Sequence, residues 1–178
     1  MLSWNRIAFV RVGLLLAGAL IAMPMLSTTP LQAQGTTAPK KGVVVAAPLT
    51  LSVKTDQPTY KADSTIKFTL TAKNTTQQDI PVRFNSGQRY DFVLYRGKDA
   101  KGEKVWQWAK GKMFTMMLSS TILKPSTPLE YTETYHPGGD GMPALTPGVY
   151  TIVAALKGVS KTTPPISMPT ASATFQVN

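Results

Sequence analysis

The sequence predicts an all-β protein with an immunoglobulin-like β-sandwich of about seven to eight strands. Short stretches alternate apolar and polar residues, turn residues separate them, and no convincing amphipathic helix occurs. A third observation is the run from Leu145 to Tyr150, Leu-Thr-Pro-Gly-Val-Tyr, which leads into a strongly apolar stretch. A tyrosine at the start of such a strand can bond back across the preceding corner, as in immunoglobulin-like sandwiches. The alternative is a core tyrosine without a special bond.

Eight stretches are predicted to be strands. The clearest are residues 49–55 and 66–73, because every second side chain in them is apolar. The other six predicted strands are residues 80–84, 90–96, 103–108, 128–135, 148–157 and 171–177. The stretch 148–157 is the most apolar, so we expect it to be a central strand. Residues 56–60 are predicted to be a turn, and residues 111–118 fit either a helical turn or a strand.

The N-terminal residues predict export. Arg6 and Arg11 precede an uncharged apolar run over residues 12–25, which is the pattern of a secretory signal peptide. That run is short for a membrane span, which needs roughly 20 apolar residues. With cleavage after Ala33, the expected organisation is a signal peptide (1–33), a flexible leader (34–48) and one domain (49–178) of a secreted or periplasmic bacterial protein. The alternative is an uncleaved segment that anchors the chain in the membrane.

Composition limits the chemistry and the partners. The chain has no cysteine, so thiol nucleophiles, thiolate zinc sites and iron–sulfur clusters are excluded. Its formal net charge of +10 favours attraction to anionic polymers of the cell envelope. The basic residues are spread along the chain and export is predicted, so we expect no nucleic-acid partner.

Catalytic patterns are missing from the sequence. The single histidine, His136, lies in a loop rich in Gly and Pro, and no Gly-x-Ser-x-Gly nucleophile motif accompanies it. One histidine cannot make a common zinc site unaided, and the nine carboxylates show no calcium-loop spacing. No glycine-rich phosphate-binding loop follows a strand and opens a helix. We therefore expect a protein that is not an enzyme and has no cofactor or metal.

A basic stretch with two tryptophans is the first candidate binding surface. Residues 96–112 contain six basic and two acidic residues. Trp106 and Trp108 are two positions apart, so on a strand both indoles face the same way. Paired aromatic rings beside lysines suit sugars or anionic chains. The alternative is that both indoles belong to the core.

Four motifs in order give the chain a family resemblance. They are Phe84-x-Ser86-Gly87-Gln88-x-Tyr90-Asp91-Phe92, Val105-Trp106-x-Trp108, Gly111-Lys112-Met113-Phe114-Thr115 and Pro147-Gly148-x-Tyr150. With them the chain resembles the BsuPI family, named for a bacillar intracellular proteinase inhibitor, over roughly residues 49–156. The resemblance implies an immunoglobulin-like sandwich that inhibits a serine protease of the subtilisin type.

Inhibition would need a protruding segment that is held rigidly, since preorganisation is what makes such complexes tight. One candidate is the turn formed by Asn85, Ser86, Gly87, Gln88 and Arg89, which lies between two predicted strands. The other is the loop over residues 136–146, whose glycines would make it flexible unless it is packed.

The alternative for the 85–89 turn is purely structural. In that case Ser86, Gly87 and Gln88 simply build a required turn, and Tyr90 and Asp91 satisfy its backbone. Phe92 and Tyr150 are expected to have structural roles in either case.

Overall fold

The computed structural model describes residues 47–178, which form an all-β domain with eleven strands. The strands are β1 (Leu49–Thr55), β2 (Thr59–Tyr60), β3 (Ile66–Asn74), β4 (Ile80–Phe84), β5 (Tyr90–Arg96), β6 (Glu103–Gln107), β7 (Ser119–Leu123), β8 (Leu129–Tyr135), β9 (Gly148–Leu156), β10 (Val159–Ser160) and β11 (Thr170–Val177). The predicted signal peptide and nearly all of the predicted leader lie outside the described residues. None of residues 47–178 forms a helix of the length and apolarity that crossing a membrane requires.

The strands form three sheets. The largest has the order β2-β11-β9-β5-β6, and the two smaller sheets have the orders β1-β3-β8 and β10-β4-β7. Neighbouring strands are antiparallel except β2 and β11, which are parallel. The apolar strand β9 lies in the middle of the five-stranded sheet, as the sequence predicts.

Two hydrophobic clusters fill the space between the sheets. In the larger cluster, Phe68 and Leu70 of β3 pack with Phe92 of β5 and Ile152 of β9. The smaller cluster joins side chains of β4 and β7 to Leu156 of β9. Both small sheets therefore bury their apolar faces against the five-stranded sheet, and the predicted β-sandwich is confirmed.

Three of the eleven strands have no signal in the local sequence. β2 lies in the predicted turn over residues 56–60 and pairs with Gln176 and Val177 at the other end of the domain. β10 pairs with Val82 and Arg83. A two-residue strand is too short to show a period of two, so only its partner defines it. The third, β7, exposes Ile122, which obscures the alternation expected of a half-buried strand.

The tyrosine corner is present at the start of β9. Tyr150 is 2% exposed, and its hydroxyl donates to the Thr146 carbonyl at 2.9 Å. The same hydroxyl accepts the Thr146 N–H at 3.1 Å. These two bonds close the corner that precedes the central strand, so Tyr150 is more than a core residue.

Candidate functional site

Residues 85–89 connect two different sheets. They follow β4 of the sheet β10-β4-β7 and lead into β5 of the five-stranded sheet, so the connection is a crossover and not a hairpin. Asn85 and Gly87 are exposed, whereas Ser86, Gln88 and Arg89 are half-buried. The connection is therefore packed against the domain along much of its length.

Polar and cation–π contacts hold this crossover in place. The Gln88 N–H donates to Ser86 Oγ at 3.2 Å, and Gln88 Nε2 donates to the Tyr90 carbonyl at 3.3 Å. The Arg89 guanidinium lies 4.6 Å from the centre of the Phe84 ring. Each of these contacts fixes the crossover to itself or to the strands beside it.

Gly87 brings the crossover into close contact with residues that follow β6. Its N–H donates to the Thr115 carbonyl at 2.8 Å. A Cβ at position 87 would lie 2.8 Å from Thr115 Oγ1, closer than real Cβ atoms approach another heavy atom. Glycine at position 87 therefore avoids a clash with the Thr115 hydroxyl at this contact.

Residues 113–118, which we call the methionine segment, are neither helix nor strand and lead into β7. Met113 is 98% exposed, Met116 87%, Met117 67% and Leu118 60%. Among residues 47–178, six large apolar side chains are exposed, and four of them lie in this segment. For residues 111–118 the sequence predicted either a helical turn or a strand, and both predictions were wrong, because the chain has no period here that matches either structure.

The two tryptophans close one open edge of the sandwich. Trp106 packs edge-on against Tyr135, with ring centres 5.2 Å apart. Trp108 stacks on Tyr90 at 4.5 Å and contacts Phe114 at 5.6 Å. Both indoles are half-buried against the larger cluster, so they are core residues at its rim.

A cleft of about 430 Å³ lies beside the two indoles. Its lining includes Trp106, Trp108, Lys110, Glu133, Asp140 and Met142. The Tyr90 hydroxyl donates a hydrogen bond to Glu133 on the wall of the cleft. Burial, followed by this bond, raises the pKa of Tyr90 well above its ordinary value. Tyr90 therefore stays a neutral donor that fixes the Glu133 carboxylate.

Asp91 fastens the end of β6 to β5. It is 3% exposed and accepts hydrogen bonds from Gln107 Nε2 at 2.6 Å and from the Ala109 N–H at 3.2 Å. Lys157 Nζ lies 3.9 Å from the same carboxylate. Asp91 does not satisfy the backbone of the 85–89 crossover, as one interpretation of the sequence required, because its side chain points toward β6.

Phe92 lies within the larger cluster, with its ring centre 6.0 Å from that of Phe68. It faces the opposite side of the sheet from Asp91, as expected for consecutive residues of a strand. Its role in the described domain is packing.

The loop over residues 136–146 is folded against the domain. Its Pro143 carbonyl accepts the Tyr135 hydroxyl at 2.5 Å, and the Met142 N–H donates to the Gly139 carbonyl at 2.8 Å. His136 Nδ1 lies 3.3 Å from Thr65 Oγ1. No three histidine or carboxylate side chains within residues 47–178 gather into a group that could hold a metal ion.

The family model for BsuPI, described as intracellular proteinase inhibitor, matches residues 53–161. This match covers more than half of the 178-residue sequence. The chain belongs to the BsuPI family, so the resemblance carried by the four motifs is confirmed.

No curated protein matches the sequence. Similar solved structures include Spo0M, a sporulation control protein from Bacillus subtilis (12% identity, TM-score 0.39, covering 75% of this chain and 49% of that one). A CARDB domain of the PF1109 protein from Pyrococcus furiosus, in complex with di-metal ions, has 15% identity and a TM-score of 0.41, with coverages of 73% and 87%. A β-glucosidase, EmGH1 from Erythrobacter marinus, has 10% identity and a TM-score of 0.41, and this chain spans 15% of its length. At these levels of similarity, nothing about their function carries over to this chain.

Proposed function

We propose that this chain is a non-catalytic, proteinase-inhibitor-type domain that binds a serine protease of the subtilisin type. The observation that carries the proposal is membership of a proteinase-inhibitor family over residues 53–161. Two features support it. The sequence lacks a recognisable nucleophile motif, and residues 47–178 hold no group of three His, Cys, Asp or Glu side chains that could bind a metal ion.

We also propose that the protein acts outside the cytoplasm, although its family is described as intracellular. The support is the N-terminal pattern of Arg6 and Arg11 followed by the uncharged apolar run over residues 12–25. The protease would then be an extracytoplasmic enzyme of the same cell or of its surroundings.

The direct test is a titration of the purified protein against subtilisin and against secreted serine proteases. We expect protease activity to fall as inhibitor is added and to reach a minimum near one inhibitor per active site. A metalloprotease assayed in parallel is the control, and its activity should not change. Serine-protease activity that persists at a large molar excess of the protein would contradict the proposal.

Anionic cell-envelope polymers are a second candidate partner, favoured by one surface. Five lysines around the β5–β6 hairpin are exposed: Lys98, Lys101, Lys104, Lys110 and Lys112. An excess of positive charge on an exposed surface attracts polyanions through an interaction that salt screens.

A pull-down with isolated cell walls tests this second candidate. We expect retention at low salt and release at ~0.5 M salt, where the screening length falls to a few ångströms. A variant with Lys98, Lys101 and Lys104 changed to Gln should bind less at low salt. Retention that does not respond to salt would exclude this electrostatic mechanism.

A further inference from the structure

We propose that the methionine segment, residues 113–118, is the part of the domain that enters the substrate cleft of the protease, and that the 85–89 crossover is its brace. This inference rests on the proposed function and names the surface that carries it out. In this inference the motif Ser86-Gly87-Gln88 has a supporting role. The residues that contact the protease are those of the methionine segment, which lies beside the motif.

The first argument is the exposure of the segment. An apolar patch on a soluble domain commonly marks an interaction site. Four apolar side chains of the segment are more than half exposed, although side chains of this kind usually lie in a core: Met113, Met116, Met117 and Leu118. Methionine is unbranched and polarizable, so it adapts to pockets of different shape. By contrast, the 85–89 crossover has no large apolar side chain on its surface.

The second argument is the state of the backbone. Within the described chain, the methionine segment makes one backbone–backbone hydrogen bond to another element, from the Gly87 N–H to the Thr115 carbonyl. The remaining N–H and carbonyl groups of this irregular stretch face no strand partner. A peptide that adds to another protein as an extended strand uses these groups for affinity and its side chains for specificity. The strand that follows, β7, is itself at the edge of its sheet.

The third argument is that the segment is anchored from behind. Phe114 is half-buried and packs against Trp108, with ring centres 5.6 Å apart. Thr115 lies against Gly87 through its carbonyl and its hydroxyl. At the C-terminal end, Ser119 pairs with Phe84 of β4. Anchors within and beyond the segment lower the entropy lost on binding, which is the condition for a tight complex.

The family and the geometry together indicate which partner binds the methionine segment. The family is one of proteinase inhibitors, so the partner is a proteinase. An apolar segment with an unpaired backbone suits the cleft in which a proteinase accepts an extended substrate. We expect Met116 and Met117 to supply most of the contact, because they are exposed and follow the Thr115 anchor directly.

The experiment compares inhibition of subtilisin by the full protein and by two variants. The test variant is M116D/M117D, and the matched control is V159D on β10, at the opposite edge of the sheet from β7. Val159 is 43% exposed, so the control also places a carboxylate at an exposed apolar position. We expect the inhibition constant of M116D/M117D to rise roughly 30-fold or more, the scale of losing an interface hot spot. V159D should inhibit like the wild type.

Thermal unfolding of all three proteins shows whether the substitutions leave the fold intact, and we expect similar midpoints because all three side chains are exposed. Inhibition by the wild type should be competitive, so that excess substrate reverses it. Equal inhibition by wild type and M116D/M117D, or non-competitive inhibition, would overturn the inference and leave the proposed function standing. A wild-type protein that inhibits no serine protease would overturn both.

Discussion

Single residues determine how the surface elements meet in this domain. Gly87 leaves room for the Thr115 hydroxyl oxygen, which would lie 2.8 Å from a Cβ at position 87. The buried Asp91 holds the end of β6 through Gln107 and the Ala109 N–H. Tyr150 closes the corner before β9. The first two contacts join residues 16 or more positions apart, whereas the corner joins residues four positions apart.

The contact between Gly87 and Thr115 can be tested with a double-mutant cycle. Gly87→Ala should lower the free energy of unfolding by about 1 kcal/mol, because the new methyl group overlaps with Thr115 Oγ1. Thr115→Ala removes that oxygen, so G87A/T115A should recover most of the loss relative to T115A. Urea titration of the four proteins measures the coupling. Additive effects of the two substitutions would show that the contact with Thr115 is not the reason why Gly87→Ala destabilises the protein.

At the scale of elements, the edge between β6 and β8 differs from the rest of the sandwich. Trp106 and Trp108 fill that edge with aromatic contacts to Tyr135 and Tyr90. The chain then turns at Gly111, whose φ of +77° favours glycine, and runs through the methionine segment to β7. The family motifs at residues 84–92, 105–108 and 111–115 therefore form one connected structure. We interpret it as a rigid base that presents an exposed segment.

At the scale of the whole molecule, non-covalent contacts hold the domain together, since the chain has no cysteine to form a disulfide bond. Tyrosines take part in that packing on both sides of the sandwich. Burial raises the pKa of Tyr60, Tyr90, Tyr131 and Tyr135 above the ordinary value. The folded state therefore favours the protonated form of each of these four hydroxyls.

This arrangement predicts a loss of stability at alkaline pH. Burial, followed by the charge of Tyr150, raises the pKa of Tyr135 from 10.0 to about 12. At pH values below the ordinary pKa, Tyr135 keeps its proton in both the folded and the unfolded state, so the free energy of unfolding does not depend on its titration. Between the two values the unfolded chain loses the proton first, so the free energy of unfolding falls as pH rises.

The test compares the wild type with Tyr135→Phe by urea titration over this alkaline range. The slope of unfolding free energy against pH should be shallower in the variant by at most about 1.4 kcal/mol per pH unit, the contribution of one proton. The variant also loses the hydrogen bond to Pro143, which shifts its stability at every pH without changing the slope. Identical slopes would contradict a raised pKa at Tyr135.

Much of the fold follows from local sequence, but less of the candidate site does. The strands β1 and β3 alternate so regularly that their inward faces are evident without a structure. The 84–92 motif drew attention to the crossover, yet which residues there are exposed depended on what packs across them. The sequence of the methionine segment has neither helical nor strand periodicity. Its apolar side chains became notable only because no other element covers them in the described domain.

By itself, the sequence determined the all-β class, the central position of β9, the tyrosine corner and the family. These features depend on alternation and on turn residues, which are properties of neighbouring positions. Only the tertiary structure decided the partners of β2 and β10, the packing of Trp106 and Trp108 at the rim of the core, and the placement of Gly87 beneath Thr115. Burial and strand pairing depend on residues that the fold brings together across the sandwich. The local periodicity of the sequence does not indicate which residues these are.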